Sequence, residues 1–281
     1  MSLLLMYFCL HKKQIIMEYT GVISKMVTEL SHPVTYQLPV GDHLVNLNQF
    51  LNHQVSMQWL HEIQCQNCGK STKKSFGQGY CYPCFISIPE TEDCVLRPEL
   101  CRAHEGFARD MDWATEHCLQ DHFVYLALSS ALKVGVTRKS QIPTRWIDQG
   151  ASKAIKFAQT PNRFLAGIIE VELKKHLTDK TNWRHMLMNK IANEIELLEQ
   201  KKYIHSLLPQ ELQKYLCTDD SITEIEYPNA AFPIKITSLD FEKEPNVSGQ
   251  LTAIKGQYLI FNNEKVINIR KFGGYKVNVF A

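Results

Sequence analysis

Four cysteines, Cys65, Cys68, Cys81 and Cys84, form two C-x2-C pairs separated by twelve residues. Each pair can grip one face of a tetrahedral Zn²⁺ while the residues between them return as a hairpin. Gly69, directly after the first pair, gives the backbone freedom to turn back toward the metal. The alternative, two disulfides, requires an oxidising compartment. Four thiolates leave no position for water, so this zinc is expected to be structural. The hairpin, "GKSTKKSFGQGY", carries Lys70, Lys73 and Lys74 close to Phe76 and Tyr80. Lysines beside aromatics suit a phosphate backbone and a stacked base. They equally suit a solvated hairpin tip above a small aromatic core.

Of nine cysteines, seven fall between residues 65 and 118. Cys94, Cys101, His104, His117, Cys118 and His122 crowd a stretch with little periodicity, and such segments usually need a metal to stay folded. Cys94, Cys101, His104 and Cys118 make the neatest set for a second zinc. Three buried thiols with ordinary histidines is the competing account.

A third group follows in "HFVYLALSSALKVGVTRKSQIPTRWIDQGA", residues 122–151. It reads as a strand over 122–129, a strand over 132–138 and a helix from about 142 to 153 with Pro143 in its first turn. "AIKFAQT" (154–160) reads as a third strand. "NRFLAGIIEVELKKHL" (162–177) reads as a helix. "VYL" (124–126), "KVG" (133–135) and the arginine of the next helix resemble the motifs of the GIY-YIG nuclease superfamily, in the branch whose second motif begins with lysine. The resemblance spans residues 122–185 and implies a catalytic set of Tyr125, Lys133, Gly135 and Arg145. To these it adds a metal-binding glutamate, Glu170 or Glu172, and Asn182. It also implies Mg²⁺ or Mn²⁺ and a DNA or RNA substrate. Phosphodiester hydrolysis needs an aimed water, a divalent ion on a phosphate oxygen and positive charge where the transition state becomes more negative. The glutamate would hold the ion, Arg145 the phosphate, and Tyr125 would orient or deprotonate the water. Lys133 replaces the usual tyrosine of the second motif, which removes one base. Each residue also has a purely structural account: Tyr125 as core, Gly135 as a packing relief, Arg145 as a partner of Asp148 or Gln149 on its own helix.

The whole chain also resembles an uncharacterised bacterial family through "CQNCGKSTKKSFGQGYCYPCF", "LKVGVTRKSQIPTRWIDQGA", "DKTNW" and "AIKGQYLIF". That likeness implies an architecture and no activity.

The elements that must hold these groups are short. Before the knuckle, "VTYQLPV", "HLVNLN" and "QVSMQWLHEI" read as strands. A helix is expected from Trp183 to about Leu198, with Leu187, Ile191, Ile195 and Leu198 as its apolar stripe. In the tail, "GQLTAIKGQYLIF", "KVINIRKF" and "YKVNVF" read as a β-meander, and the terminal strands together suggest a small barrel. The fold class expected is α+β: a GIY-YIG-like three-stranded sheet with helices in the middle, the zinc knuckle before it, and strand-rich N- and C-terminal regions. The divisions are residues 1–16, 17–64, 65–121, 122–215 and 216–281. The first of these, with "MSLLLMYFCL" but no basic leader or cleavage site, is read as a start-site extension ahead of Met17.

At 281 residues, 44% apolar and 21% charged, the composition is that of an ordinary globular protein. The net charge of +2 is unevenly spread: residues 122–209 carry fourteen basic against seven acidic residues. A basic middle with acidic flanks points to a polyanionic partner, nucleic acid above all, with a lysine-rich solvated surface as the plain alternative. No apolar run is long enough for a membrane helix, and the unpaired-thiol chemistry places the protein in the cytoplasm.

Overall fold

The computed structural model describes residues 17–177, 182–192 and 194–281. The expected start-site extension lies outside these residues, as does most of "DKTNW". Five strands come first: β1 (Glu18–Val22), β2 (Val27–Glu29), β3 (Thr35–Val40), β4 (His43–Asn46) and β5 (Gln54–Ile63). In β3 alternate residues Tyr36, Leu38 and Val40 are buried, the period of a half-buried strand. Gly41, with φ +57°, makes the turn into β4, and β2, β3 and β4 form a small antiparallel sheet. The cysteine-rich segment holds two short helices, α1 (Tyr82–Ser87) and α2 (Met111–His117), linked by single 3₁₀ turns.

The central sheet is built on β6 (His122–Leu128), buried along its whole length. It pairs antiparallel with β7 (Leu132–Arg138) on one side and, past α3 (Thr144–Asp148), with β8 (Lys153–Thr160) on the other. Then come α4 (Arg163–Leu173), α5 (Trp183–Leu187), α6 (Leu197–Leu207) and a short strand β9 (Ile222–Glu224), which pairs with β8. The sheet therefore has four strands, in the order β7-β6-β8-β9, where three were expected. Two helices are shorter than their sequence patterns. The helix expected over 142–153 ends at Asp148 because Gly150 takes the left-handed conformation, φ +68°, that closes a helix. The helix expected over 183–198 is split. Asn189 is left-handed at φ +53°, and the apolar stripe divides between two cores. Leu187 packs with Ala253, Ile260 and Val266, whereas Ile191, Ile195 and Leu198 pack on the central sheet.

The tail supplies β10 (Thr237–Ser238), β11 (Asn246–Lys255), β12 (Tyr258–Phe261), β13 (Lys265–Asn268) and β14 (Tyr275–Phe280). β11, β12 and β13 form the expected meander, but β14 leaves it and runs between β1 and β5. One seven-stranded sheet results, in the order β1-β14-β5-β11-β12-β13-β10, assembled from both ends of the chain. Its order ends at β1 and β10, where a closed barrel had been expected. The largest core joins this sheet to the central one, bringing Met57, Val277 and Phe272 into one cluster with Tyr125 and Trp146. Among the described residues, no helix is long and apolar enough to cross a membrane.

Candidate metal centres and cleft

Cys65 follows directly on β5, and Cys81 and Cys84 lie at the start of α1, so two regular elements carry the two halves of the first cluster. The four sulfurs of Cys65, Cys68, Cys81 and Cys84 lie within 4.8 Å of one another, with Cys68 and Cys81 Sγ 3.8 Å apart. Gly69, at φ +70°, lets its own N–H return to the Cys65 carbonyl at 2.8 Å. Burial pushes the Cys65 thiol up, but backbone N–H groups of Cys68, Cys81 and Asn67 aimed at the sulfur outweigh it and bring it down to about 6. Asn67 Nδ2 donates to Cys84 Sγ at 3.3 Å. Four converging cysteine sulfurs, with Cys65 stabilised as thiolate by peptide N–H groups, suit zinc, and a closed set of four ligands suits a structural ion.

Lys70, Lys73 and Lys74 are exposed on the hairpin. Phe76 is half-buried: its ring lies 5.4 Å from Tyr82 and 6.0 Å from Phe85, Lys74 Nζ stands over it at 5.4 Å, and its backbone pairs with that of Tyr80. Burial raises the pKa of Tyr80. The aromatics thus form a half-buried cluster beside the exposed lysines.

Cys94, Cys101 and Cys118 form a second group, their sulfurs within 4.8 Å of one another and all three buried. His104 is not with them. Its ring stacks on Phe164 at 4.4 Å, and its Nε2 lies 3.9 Å from Glu105, because the 3₁₀ turn Ala103–Glu105 carries it away from the sulfurs. Arg163, the first residue of α4, ties this loop down by donating to the carbonyls of Cys94 at 3.2 Å and His117 at 3.0 Å. Hydrogen bonds from Cys118 and Cys94 hold the Cys101 thiol well below its usual range, and Arg163 acts in the same direction. Three converging cysteine sulfurs, of which Cys101 gives up its proton most readily, are compatible with zinc, with one coordination position not taken by a cysteine.

The third group is a cleft of about 200 Å³ lined by Lys133, Gly135, Arg145, Gln149, Glu170 and Lys174, with Val95 and Pro98 at its rim. Tyr125 lies beneath it. Tyr125 and Gly135 are direct partners across β6 and β7, and the tyrosine ring rests on the glycine. A Cβ at residue 135 would stand 2.5 Å from Tyr125 Oη. The hydroxyl donates to Gln149 Oε1 at 2.9 Å, and the ring meets Trp146 edge-on at 6.0 Å. Burial pushes the Tyr125 pKa up to about 12, which makes it a fixed proton donor rather than a base. Burial, then the charge of Arg145, brings Lys133 down to about 8. Burial also raises Glu170, against the opposing pull of Lys174, whose Nζ is 3.4 Å away.

Two residues of the expected set lie elsewhere. Glu172, two positions beyond Glu170 on α4, turns to another face and pairs with Lys175 at 2.5 Å. Asn182 caps α5, its side chain accepting from the N–H groups of Arg184 at 3.1 Å and His185 at 3.2 Å. Gln149 and Lys174 join the cleft at four-residue spacing from Arg145 and Glu170, a helical period legible in the sequence. The rim was not legible. It exists because Gly167 lets the cysteine loop lie directly on α4, where a Cβ would stand 2.2 Å from the Glu99 backbone nitrogen. A larger cavity of 490 Å³, lined by Lys156, Lys214, Cys217 and Asp219 among others, contains none of these groups.

Residues 52–277 match a family described as "Protein of unknown function (DUF2797)", and the chain belongs to that family. No curated protein and no solved structure matches it.

Proposed function

We propose that this DUF2797 protein is a cytoplasmic, zinc-stabilised nucleic-acid-binding protein whose central domain is a GIY-YIG-like core that cleaves phosphodiesters with Mg²⁺ or Mn²⁺. The observation that supports this reading is the convergence of Lys133, Gly135, Arg145 and Glu170 on one cleft above Tyr125. Residues spread over 46 positions of sequence, from Tyr125 to Glu170, are thus close in space, although Lys133 rather than Tyr125 is the group suited to act as a base.

In this reading Arg145 binds the non-bridging phosphate oxygens, where a planar guanidinium matches two acceptors at once. Glu170 is the carboxylate for the divalent ion, which supplies Lewis-acid charge on the phosphate and otherwise keeps its waters. Lys133, with a pKa of about 8, is partly neutral in mildly alkaline solution and is the best-placed group to accept a proton from water. Tyr125 keeps its proton and holds Gln149, and with it the end of α3, in register with the sheet. The exposed lysines of the knuckle would extend the contact to neighbouring phosphates.

A second reading is a non-catalytic nucleic-acid binder. It is favoured by one feature: Glu170 already has Lys174 as its partner and is, among the described residues, the sole carboxylate lining the cleft. One experiment separates the two. Zinc-loaded protein is incubated with single-stranded, duplex and branched DNA and RNA in Mg²⁺ or Mn²⁺, beside Glu170→Ala and Glu172→Ala variants. Cleavage by wild type and Glu172→Ala, lost in Glu170→Ala, supports the nuclease. Retention of a strand without cleavage, weakening with added salt, supports the binder. Neither cutting nor holding would overturn both and leave a zinc-stapled interaction scaffold.

A further inference from the structure

A second cavity of about 180 Å³ adjoins the cleft, and Val95, Pro98, Val136 and Arg145 line both. Neutral Thr137 and Gln141 stand in its lining, and apart from Asp148 the titratable lining is basic: Lys25, His122, Arg138, Arg145, Arg163 and Arg270. These come from six separate elements or loops, so no local sequence pattern announces them. The one carboxylate, Asp148, is already committed. It accepts from Lys25 Nζ at 3.0 Å through one oxygen and from Gln257 Nε2 at 2.8 Å through the other. Among the described residues, none of the four arginines is in a salt bridge.

Two buried nitrogens in this lining are without partners. Arg163 spends its terminal nitrogens on the Cys94 and His117 carbonyls, but its Nε is buried and unpaired. His122, 1% exposed, places Nδ1 on the Gln120 carbonyl at 2.7 Å and leaves Nε2 unpaired. An unpaired buried donor is costly, and so is holding like charges together. The arginines register that cost: burial and then the charge of Arg163 lower Arg138, and burial and then Arg145 lower Arg270. Arg270 is nonetheless held in place, its Nε donating at 2.6 Å to Gln78 on the zinc-knuckle hairpin. A multivalent oxyanion with several acceptor oxygens satisfies the guanidinium groups together. His122, kept neutral by burial with a pKa of about 4 and donating through Nδ1 to Gln120, presents Nε2 as an acceptor and takes no part in holding the anion.

We propose that this cavity is a second phosphate site that takes a dianionic phosphate group, the terminal phosphate of a nucleic-acid strand whose neighbouring backbone phosphate occupies the cleft. The strand rests on the function proposed above; the phosphate site does not. A monoester phosphate carries about two negative charges near neutral pH, against one for a backbone diester, and has three acceptor oxygens to distribute among separate guanidinium groups. Arg145, shared between the two cavities, sits where consecutive phosphates would both reach it.

The test uses the full chain with its zinc intact. Binding of inorganic phosphate is measured by calorimetry. Affinities are then compared for one oligonucleotide carrying a 5′-phosphate, a 3′-phosphate or neither, in the absence of divalent ions. Wild type should hold inorganic phosphate and should bind one phosphorylated strand roughly tenfold or more tightly than the unphosphorylated one, the scale of a charge-assisted hydrogen bond. Arg138→Gln/Arg270→Gln, with zinc content and circular dichroism unchanged, should lose both effects while binding the unphosphorylated strand within about twofold. Inorganic phosphate should also erase the preference in wild type, a readout independent of any variant's folding. Phosphate bound by wild type and lost in the variant, with no strand held, would keep the site and remove the nucleic-acid reading. Absence of phosphate binding together with equal affinity for all three strands would overturn the proposal, as would a preference that survives in the double variant.

Discussion

Replacing Gly135 by alanine is a strong test of the architecture under the cleft, because two known effects oppose each other there. In an ordinary strand interior, alanine for glycine restricts the unfolded chain and gains about 0.4–1 kcal/mol. Residue 135 is not ordinary. The new Cβ would stand 2.5 Å from Tyr125 Oη, 2.7 Å from Cζ and 3.2 Å from Cε1, about 1 Å inside ordinary contact at the nearest atom. The ring cannot swing aside freely. It is fully buried, its hydroxyl is bonded to Gln149, and Trp146 stands at its edge. Overpacking a site of this kind costs about 1–3 kcal/mol, so the net effect is destabilising by roughly 1–2 kcal/mol after the entropic gain. Urea unfolding of the zinc-loaded protein should show a lower midpoint with an unchanged slope. Tyr125→Phe in the same chain removes the nearest atom but leaves Cζ, and should recover part of the loss. The two substitutions should therefore couple in a double-mutant cycle. If Gly135→Ala is as stable as wild type or more so, Tyr125 does not lie on Gly135 and the geometry of the cleft is wrong.

Zinc is the next test. The purified chain should release two equivalents to a chelator after thiol modification; Cys101→Ser should hold one fewer and His104→Ala should keep both. Cys68→Ser should unfold the knuckle, seen as rapid proteolysis between residues 65 and 84, because zinc-linked folding free energies in small modules are of order 10 kcal/mol. Lys133 should leave a signature in stability against pH. Its pKa is about 8 folded and 10.5 when free, so the unfolded chain binds more protons between those values and stability rises with pH across that window. Lys133→Met should flatten this rise, and a curve identical to wild type would show that Lys133 is not buried as described. For cleavage, Glu170→Gln should abolish turnover and Glu172→Gln should leave it near wild type; equal loss in both would move the ion elsewhere on α4.

What the sequence made legible follows contact distance along the chain. The Cys65–Cys84 spacing encodes its own geometry, since two C-x2-C pairs and a glycine prescribe a knuckle whatever surrounds it. The Tyr125–Gly135 pairing is also local, within one hairpin, but its register, Leu128 opposite Leu132, is one residue from what the expected strand bounds imply. Assignments failed where the deciding contact was distant. Glu170 and Glu172 differ only in which face of α4 meets the cysteine loop, and that depends on Gly167 against Glu99 across 68 positions. Asn182 carries the same side chain whether it caps a helix or lines a site; its use as a cap is set by where α5 begins. β14 reads as the next strand of a meander, yet it pairs with β1 and β5 because its buried face, Tyr275, Val277 and Val279, completes the large core there. His104 fits a metal set by spacing, but one 3₁₀ turn redirects it onto Phe164.

These long-range contacts also show what the cysteine clusters contribute to the cleft on the central sheet. The cleft needs walls on the face of the central sheet beside α4, and that sheet supplies only a floor and one side. The second cysteine cluster supplies the rim: Cys94 and Cys101 bracket Val95 and Pro98, and Arg163 and Gly167 clamp that segment to α4. The first cluster acts at longer range. Its hairpin meets the turn before β14, where Ser75 Oγ donates to the Gly273 carbonyl at 3.4 Å, and Gln78 fixes Arg270 at 2.6 Å beside the basic cavity. Short loops rich in polar groups bury too little apolar surface to hold such positions unaided. A metal at each cluster would fix them instead, so the same residues that hold the ions would set the walls of the cleft.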